Sequence, residues 1–469
     1  MPQSPWTAHH IQQCEQRIGQ TMLRDEHSLV SFSSDFGGLA HSKPAAVFSP
    51  PTTLALQQLI AYADENCLPV TVRAKGLSQS GQSLPVAGGL TLHMDRFDAV
   101  HEQEDTLIWV DANASWSALL AATLRESRVP YITPYNVNLS IAGLISVGGV
   151  GAASFKHGIA VSHVTALEVV TADGNIQRVD AASPLFHACV GGQGQFGVIT
   201  KAAIQLRPCS RQVRTFSLAY TDWEQWLKDL AVFKRHADFI EAFCSPALQG
   251  TKLTAKGRRP FAEWLFSLQV SFEYDDKAPE LADFGSDVKP WRVSHRQDEA
   301  MDSYLFRHEA RLQAMKASGQ WALQHPWYEC LVAQDVVMSE LDDLLRSLPL
   351  HFATMVHLVP ISGKQPTGFF MGPGQAEFFS VMILNPGVPP ALVPGCLEVI
   401  REMDERFLAK GGKRYLSGFL GSDVPPDYWA THFGPDYTNW SKLKRRYDPK
   451  GIFCSTLCNH NMTEGRSAS

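Results

Sequence analysis

The sequence predicts an α+β protein of more than one domain, and three observations lead there. The first 208 residues are short β-type runs separated by glycine clusters, and a helix–strand–glycine-turn unit occupies 53–76. From 209 onward the pattern changes to longer strands alternating with amphipathic helices. A chain of 469 residues also exceeds the usual size of one domain.

Taken in order, TLALQQLIAYADENC (53–67) carries apolar residues at helical spacing, and LPVTVRAKG (68–76) reads as a strand running into a glycine turn. GGLTLHMDRFDAV, TLIWVDANASW and VTALEVVTADGNIQRV read as successive strands, the last folding back at the hairpin pair Asp173-Gly174. GGQGQFGVITKAAIQL (191–206) brings another glycine cluster into a strand, and Arg207-Pro208 ends this portion. Between 209 and 416, FSLQVSFEY and FFSVMILN are strands, while YTDWEQWLKDLAVFKRHA and LVPGCLEVIREMDERFLAK are helices. Such a mixture makes an antiparallel sheet with helices on one face. The remainder carries Trp429, His432-Phe433-Gly434, Trp440 and Tyr447-Asp448-Pro449.

Composition is that of an ordinary globular protein, 45% hydrophobic and 19% charged, with a net charge of −6 spread along the chain. No basic stripe is present, so nucleic acid is not an expected partner. The N-terminus has no apolar leader. The least polar long stretch, 137–155, holds Asn138, serines and four glycines, a poor membrane span. Nine scattered cysteines, an odd number, suit a reducing cytoplasm. Cys454 and Cys458, with His460 following, offer too few ligands for a metal and read as ordinary buried thiols.

The chemistry lies in three glycine-rich segments, 76–89, 142–151 and 191–197. Glycine permits positive φ and close backbone approach, so N–H groups can converge on an anion. The segments do not match G-x-x-x-x-G-K-[ST]. None is a G-x-G-x-x-G with an acidic residue about 20 positions on. A large ligand carrying a pyrophosphate, held by a fold other than the dinucleotide type, is the better reading.

The segments RAKGLSQSGQ, GGLTLHM, LSIAGLISVGGVGAASFKHG, LFHACVGGQGQFGVITKAAIQL and YWATHFG with its following Trp and YDPKGI resemble flavoprotein oxidoreductases of the vanillyl-alcohol-oxidase type. Within that group the chain is most similar to cytokinin dehydrogenases. The resemblance implies a two-part PCMH-type FAD-binding domain, 1–208 completed by 417–469, around an antiparallel-sheet α+β substrate cap, 209–416. It implies that the loop Ala74, Lys75, Gly76, Leu77, Ser78 to Gln82 takes the FAD pyrophosphate through its amides. Ser140, Gly143, Ser146 and Val150 would line the flavin, Val198 and Ile199 would meet the adenine or ribose, and Tyr415 would approach the flavin. Each such residue, taken singly, is also explicable as plain packing.

The chain departs from the family in three places. Leu77 stands where many relatives carry the histidine bonded to the flavin, and 137–155 lacks the cysteine that forms a second linkage, so non-covalent FAD is expected. Counting back from Leu139-Ser140, the family's catalytic Asp falls on Tyr135, or on Pro134 with a one-residue gap. Tyr135 acts as acid or base only if strongly tuned, and otherwise shapes the pocket. Cys454-Ser455-Thr456-Leu457 replaces a Pro-Gly-Gln flavin contact, leaving Cys454 in that position. FIEAF (239–243) resembles the family's Tyr-Val-Glu-Gly, which makes Glu241 a candidate anchor for an amine or N-heterocycle, or simply a solvated carboxylate.

The resemblance thus implies an FAD-dependent oxidase or dehydrogenase removing a hydride from a C–H next to N or O of a small organic substrate, in specialised metabolism. O2 or another acceptor would reoxidise the flavin. Two alternatives stay open: a genuine cytokinin dehydrogenase with a substitute base, and a flavin-binding protein with degraded catalysis.

Overall fold

The computed structural model describes residues 4–255, 257–348, 355–364, 366–421, 424–425 and 427–459, so His460 lies outside the described residues. β1 (Ala46–Phe48), β2 (Val70–Arg73) and β3 (Leu90–His93) form a small parallel sheet in the order β1-β3-β2. Strands running the same way need a crossover. The helix Thr53–Glu65 supplies it between β1 and β2, burying Leu56, Leu59, Ile60 and Ala63 in the core of this sheet. Thr52 starts that helix, its Oγ1 accepting from the Ala55 amide at 3.2 Å.

A second sheet contains β4 (Val100–Glu104), β5 (Leu107–Asp111), β6 (Arg128–Pro130), β7 (Val164–Val170), β8 (Ile176–Asp180) and β9 (Val198–Pro208). It is antiparallel in the order β4-β5-β9-β7-β8, with β6 beside β9. The β7–β8 turn forms at Asp173-Gly174, as the sequence predicts. Asp173 Oδ1 accepts from Thr171 Oγ1 at 2.6 Å and from the Asn175 amide at 3.1 Å, and Gly174 adopts φ +78°.

The third sheet has eight antiparallel strands: β10 (Gln212–Tyr220), β11 (Phe239–Thr254), β12 (Gly257–Tyr274), β13 (Arg292–Ala300), β14 (Tyr328–Ala333), β15 (Val356–Ile361), β16 (Phe378–Ile383) and β17 (Lys413–Arg414). Their order is β13-β10-β12-β11-β15-β16-β14-β17. Helices Trp223–Phe233, Gln334–Ser347 and Val393–Leu408 share one core with Ile240, Cys330, Val332, Leu358 and Val381. Strand side chains alternate between faces. Phe239, Leu331, Val359 and Met382 therefore point the other way, into the core of the second sheet. Cross-strand register places Glu329, Met382, His357 and Phe243 in one row on that inner face. The molecule is α+β, an FAD-type portion joined to an antiparallel sheet with its helices on one side.

The C-terminal segment returns to the first sheet. Val70 donates its amide to Ile452 O at 2.8 Å, and Thr71 Oγ1 donates to Cys454 O at 2.6 Å. Lys444, on the helix Tyr437–Tyr447, is buried. Its Nζ donates to Asp448 Oδ2 at 2.6 Å, Phe453 O at 2.7 Å and Gln195 O at 2.8 Å, so all three ammonium protons have acceptors. No helix among the described residues is long and apolar enough to cross a membrane.

Candidate functional site

A cavity of about 280 Å3 lies between the glycine-rich segments and the inner face of the third sheet. The loop after β2 forms one wall. Asp35 Oδ2 accepts from Ser78 Oγ at 3.1 Å and from the Gly81 amide at 2.8 Å. Gln82 folds back to accept from the Ser80 amide at 2.8 Å. The Phe36 and Gly37 amides each donate at 3.1 Å, to Gly76 O and Ser78 O, so two loop carbonyls are turned toward protein donors. Gly76 has φ +67°, and a Cβ there would lie 2.5 Å from Arg73 Nη2.

The outcome is a run of amides, Lys75 to Gln79, with no acceptor among the described residues. Arg73 adds a cation under the loop, with a buried Nη1 that likewise has no partner among the described residues. Successive open amides over a guanidinium make an anion cradle, which suits the pyrophosphate of FAD.

The middle glycine segment makes the floor. Ser140 starts the short helix Ile141–Ile145, its Oγ accepting from the Gly143 amide at 3.3 Å, and Ser146 Oγ donates to Ala142 O at 2.8 Å. The Gly149 amide donates to Tyr415 Oη at 2.8 Å, which joins this segment to the strand leaving the third sheet. At Gly148, φ is +134° and an added Cβ would stand 2.5 Å from the Phe370 ring, so the backbone must stay bare.

Ala74, Lys75, Gly76, Leu77, Ser78 and Gln82 all face the cavity. So do Tyr135, Ser140, Gly143, Ser146, Val150, Ile199 and Tyr415. Leu77 brings only hydrocarbon to that wall. Val198 and Cys454 do not reach it. Val198 is buried in the core of the first sheet, and Cys454 is buried where its amide donates to Val70 O at 3.3 Å. Their place along the wall is taken by Gln193, Gln195 and Phe196.

Glu241 is likewise outside the cavity lining. It is not a solvated carboxylate: it is 2% exposed on β11. Its Oε1 accepts from Arg307 Nε at 2.8 Å, from Arg307 Nη2 and from His308 Nε2 at 3.1 Å. Burial works to raise its pKa, but the Arg307 charge and then His308 outweigh that and hold the carboxyl ionised, well below the ordinary range. Tyr135 is the partition. One side of it faces the cavity, while its ring packs on His357 at 4.7 Å and His308 at 5.5 Å. Burial, reinforced by the Glu241 charge, pushes the Tyr135 phenol well above its ordinary value. Tyr135 Oη, Glu241 Oε2 and His357 Nε2 are all buried without hydrogen-bond partners among the described residues, so Tyr135 and Glu241 share a cluster without bonding each other.

Sequence reasoning misses the wall formed by Trp327, Glu329, Met382 and Ser417. Glu329 comes from PWYECLVA, where one acid interrupts an apolar strand, and that interruption is the available signal. It is 4% exposed, and its Oε2 accepts from Ser417 Oγ. Burial raises its pKa to about 7, against smaller opposing effects of the Ser417 bond and the Arg414 charge.

Comparison with known proteins agrees with this architecture. A family profile described as "FAD binding domain" matches residues 44–180, and one described as "Cytokinin dehydrogenase 1, FAD and cytokinin binding" matches 291–456. An "Uncharacterized oxidoreductase ORF5 in fasciation locus" of Rhodococcoides fascians is 29% identical, covering 91% of this chain and 96% of its own length. Cytokinin dehydrogenase 7 of Oryza sativa subsp. japonica is 27% identical over 93% of this chain and 90% of its own. Cytokinin dehydrogenase 2 of Arabidopsis thaliana is 25% identical over 93% and 92%. With both profiles falling on the segments that wall the cavity, the chain is an FAD-dependent oxidoreductase similar to the cytokinin dehydrogenases over more than nine-tenths of its length.

Proposed function

We propose that this protein oxidises a C–H bond next to N or O of a small organic substrate, using non-covalently held FAD. The observation that carries this reading is the shared cavity: open amides and glycines on one wall, and Trp327 with Glu329 and Met382 of the third sheet on the other. Bound FAD supplies a two-electron acceptor, and the residues on both walls supply binding, orientation and exclusion of water. On this reading 1–208 with 417–469 forms the FAD domain and 209–416 the cap that selects the substrate. O2 or another acceptor would complete the cycle.

Tyr135, which lines the cavity and whose phenolic oxygen has no partner among the described residues, supports a substrate with a polar head, an amine or N-heterocycle. Leu77 supports the non-covalent state, because a leucine side chain has no nucleophile to bond the flavin. Acid precipitation of the holoprotein is expected to release all its yellow colour into the supernatant, and colour held in the pellet refutes it.

A second reading, a genuine cytokinin dehydrogenase with a substitute base, is favoured by the carboxyl of Glu329 in the cavity. Anaerobic titration separates the two. Bleaching of the flavin by other amines or alcohols but not by isopentenyladenine is the expected result, and bleaching by isopentenyladenine establishes the second. No bleaching by any of a broad panel, with FAD tightly bound, overturns both in favour of a flavin-binding module.

A further inference from the structure

We infer that Glu329 is the proton acceptor of this site, taking the N–H or O–H proton of the substrate as the neighbouring C–H is oxidised. The inference rests on the oxidation reading above and assigns the base that reading lacks. Three geometric observations carry it. Glu329 is the only carboxylate among the described residues that line the cavity. Strand alternation fixes it on the inner face of β14, directly across from Met382 of β16, which lines the same cavity. Finally, Ser417 Oγ holds Oε2, while Oε1 has no hydrogen-bond partner among the described residues and is left to accept.

The other candidates fail on position or charge. Tyr135 is a buried neutral phenol with its pKa raised, a poor acceptor near neutrality. Glu241 already accepts at Oε1 from Arg307 and His308 and stands behind Tyr135, outside the cavity lining. The charged and titratable groups that face Glu329 are Arg414, whose Nε donates to the Glu329 carbonyl at 3.1 Å, and Tyr415, whose amide donates to it at 3.0 Å. Arg414 is itself paired with Asp404 at 2.8 Å, which leaves its charge largely spent on that partner.

In the step assigned to it, the substrate loses two electrons and its C–H hydrogen to the FAD named above, and one proton to Glu329 Oε1. A C=N or C=O bond forms and the carboxylate becomes the acid. A base must begin unprotonated. With the Glu329 pKa at about 7, the rate of flavin reduction should therefore rise with pH through neutrality and level off above it.

The test uses the holoprotein and the substrate found by the anaerobic panel. Glu329→Gln keeps the shape and the Ser417 bond. It is expected to slow flavin reduction on the order of 10²–10⁴-fold and to flatten the rise near pH 7. Infrared titration of the oxidised holoprotein without substrate supplies a readout independent of turnover: a buried carboxyl should titrate near pH 7 in the wild type and be missing in Glu329→Gln. A raised carboxyl pKa means stability present at low pH is lost between the unfolded value of 4.5 and about 7. Glu329→Gln should therefore melt at or above the wild-type temperature at pH 8, which also shows that it folds. Equal reduction rates and pH profiles for the two proteins overturn the inference alone, as does the absence of the titrating carboxyl. Failure of the whole panel to reduce the wild type overturns the oxidation reading, and the inference with it.

Discussion

Replacing Lys444 by methionine is expected to cost the protein about 3–5 kcal/mol of stability, the usual penalty for stripping one partner from a buried ion pair. The Asp448 side chain has no exposed surface, and besides Lys444 it accepts from the Ile452 amide at 2.8 Å and the Phe453 amide at 2.9 Å. Those amides soften the loss without supplying a positive charge. The carbonyls of Gln195 and Phe453 lose their donor as well. Gln195 lines the cavity, so the variant should also hold FAD more weakly. Urea unfolding and fluorescence titration of released flavin measure the two effects. Recovery of part of the loss in Lys444→Met combined with Asp448→Asn would identify the uncompensated charge as its source. A cost below about 1 kcal/mol would mean that water reaches Asp448.

Arg307→Met should be comparably severe, about 3–5 kcal/mol at neutral pH, because it leaves the Glu241 carboxylate buried beside only His308. The sign of its pH dependence is fixed. In the wild type, Glu241 has a depressed pKa, so its contribution is present above the unfolded value of 4.5 and fades as pH falls below it. In the variant burial acts unopposed by Arg307, the pKa rises, and acid relieves the strain. The gap between the two proteins should therefore narrow from both sides on acidification, as chemical denaturation at pH 7.5 and pH 4 would show. A gap independent of pH would place the loss in packing against Tyr304, whose ring lies 4.0 Å from the guanidinium, rather than in charge.

Much of this architecture is legible in the sequence because local rules decide it. The helix 53–65, the strand at 70–73 and the turn at Asp173-Gly174 follow from apolar spacing and turn chemistry, and each forms. The loop 73–82 is legible for the same reason, since glycine and serine after a buried strand announce exposed amides. β13 is not: RVSHRQDEA alternates no apolar residues, being an exposed edge strand whose pairing with β10 supplies its order. Nor is the state of Glu241. A lone acid at a strand end reads as solvated until Arg307, 66 residues away, is seen to meet it. Glu329 is hidden in the same manner, its role decided by which face of β14 looks inward and by Ser417, 88 residues on. What escapes the sequence is long-range pairing of polar groups.

The sites that hold the first sheet to the C-terminal segment carry a consequence for biosynthesis. Thr71 bonds to Cys454 across 383 residues, and Gln82 Nε2 reaches Leu416 O across 334. The anion cradle leaves the ribosome hundreds of residues ahead of the groups that brace it. A nascent chain ending before Cys454 has the loop without this brace, so capture of the cofactor should wait until that distant segment has been made.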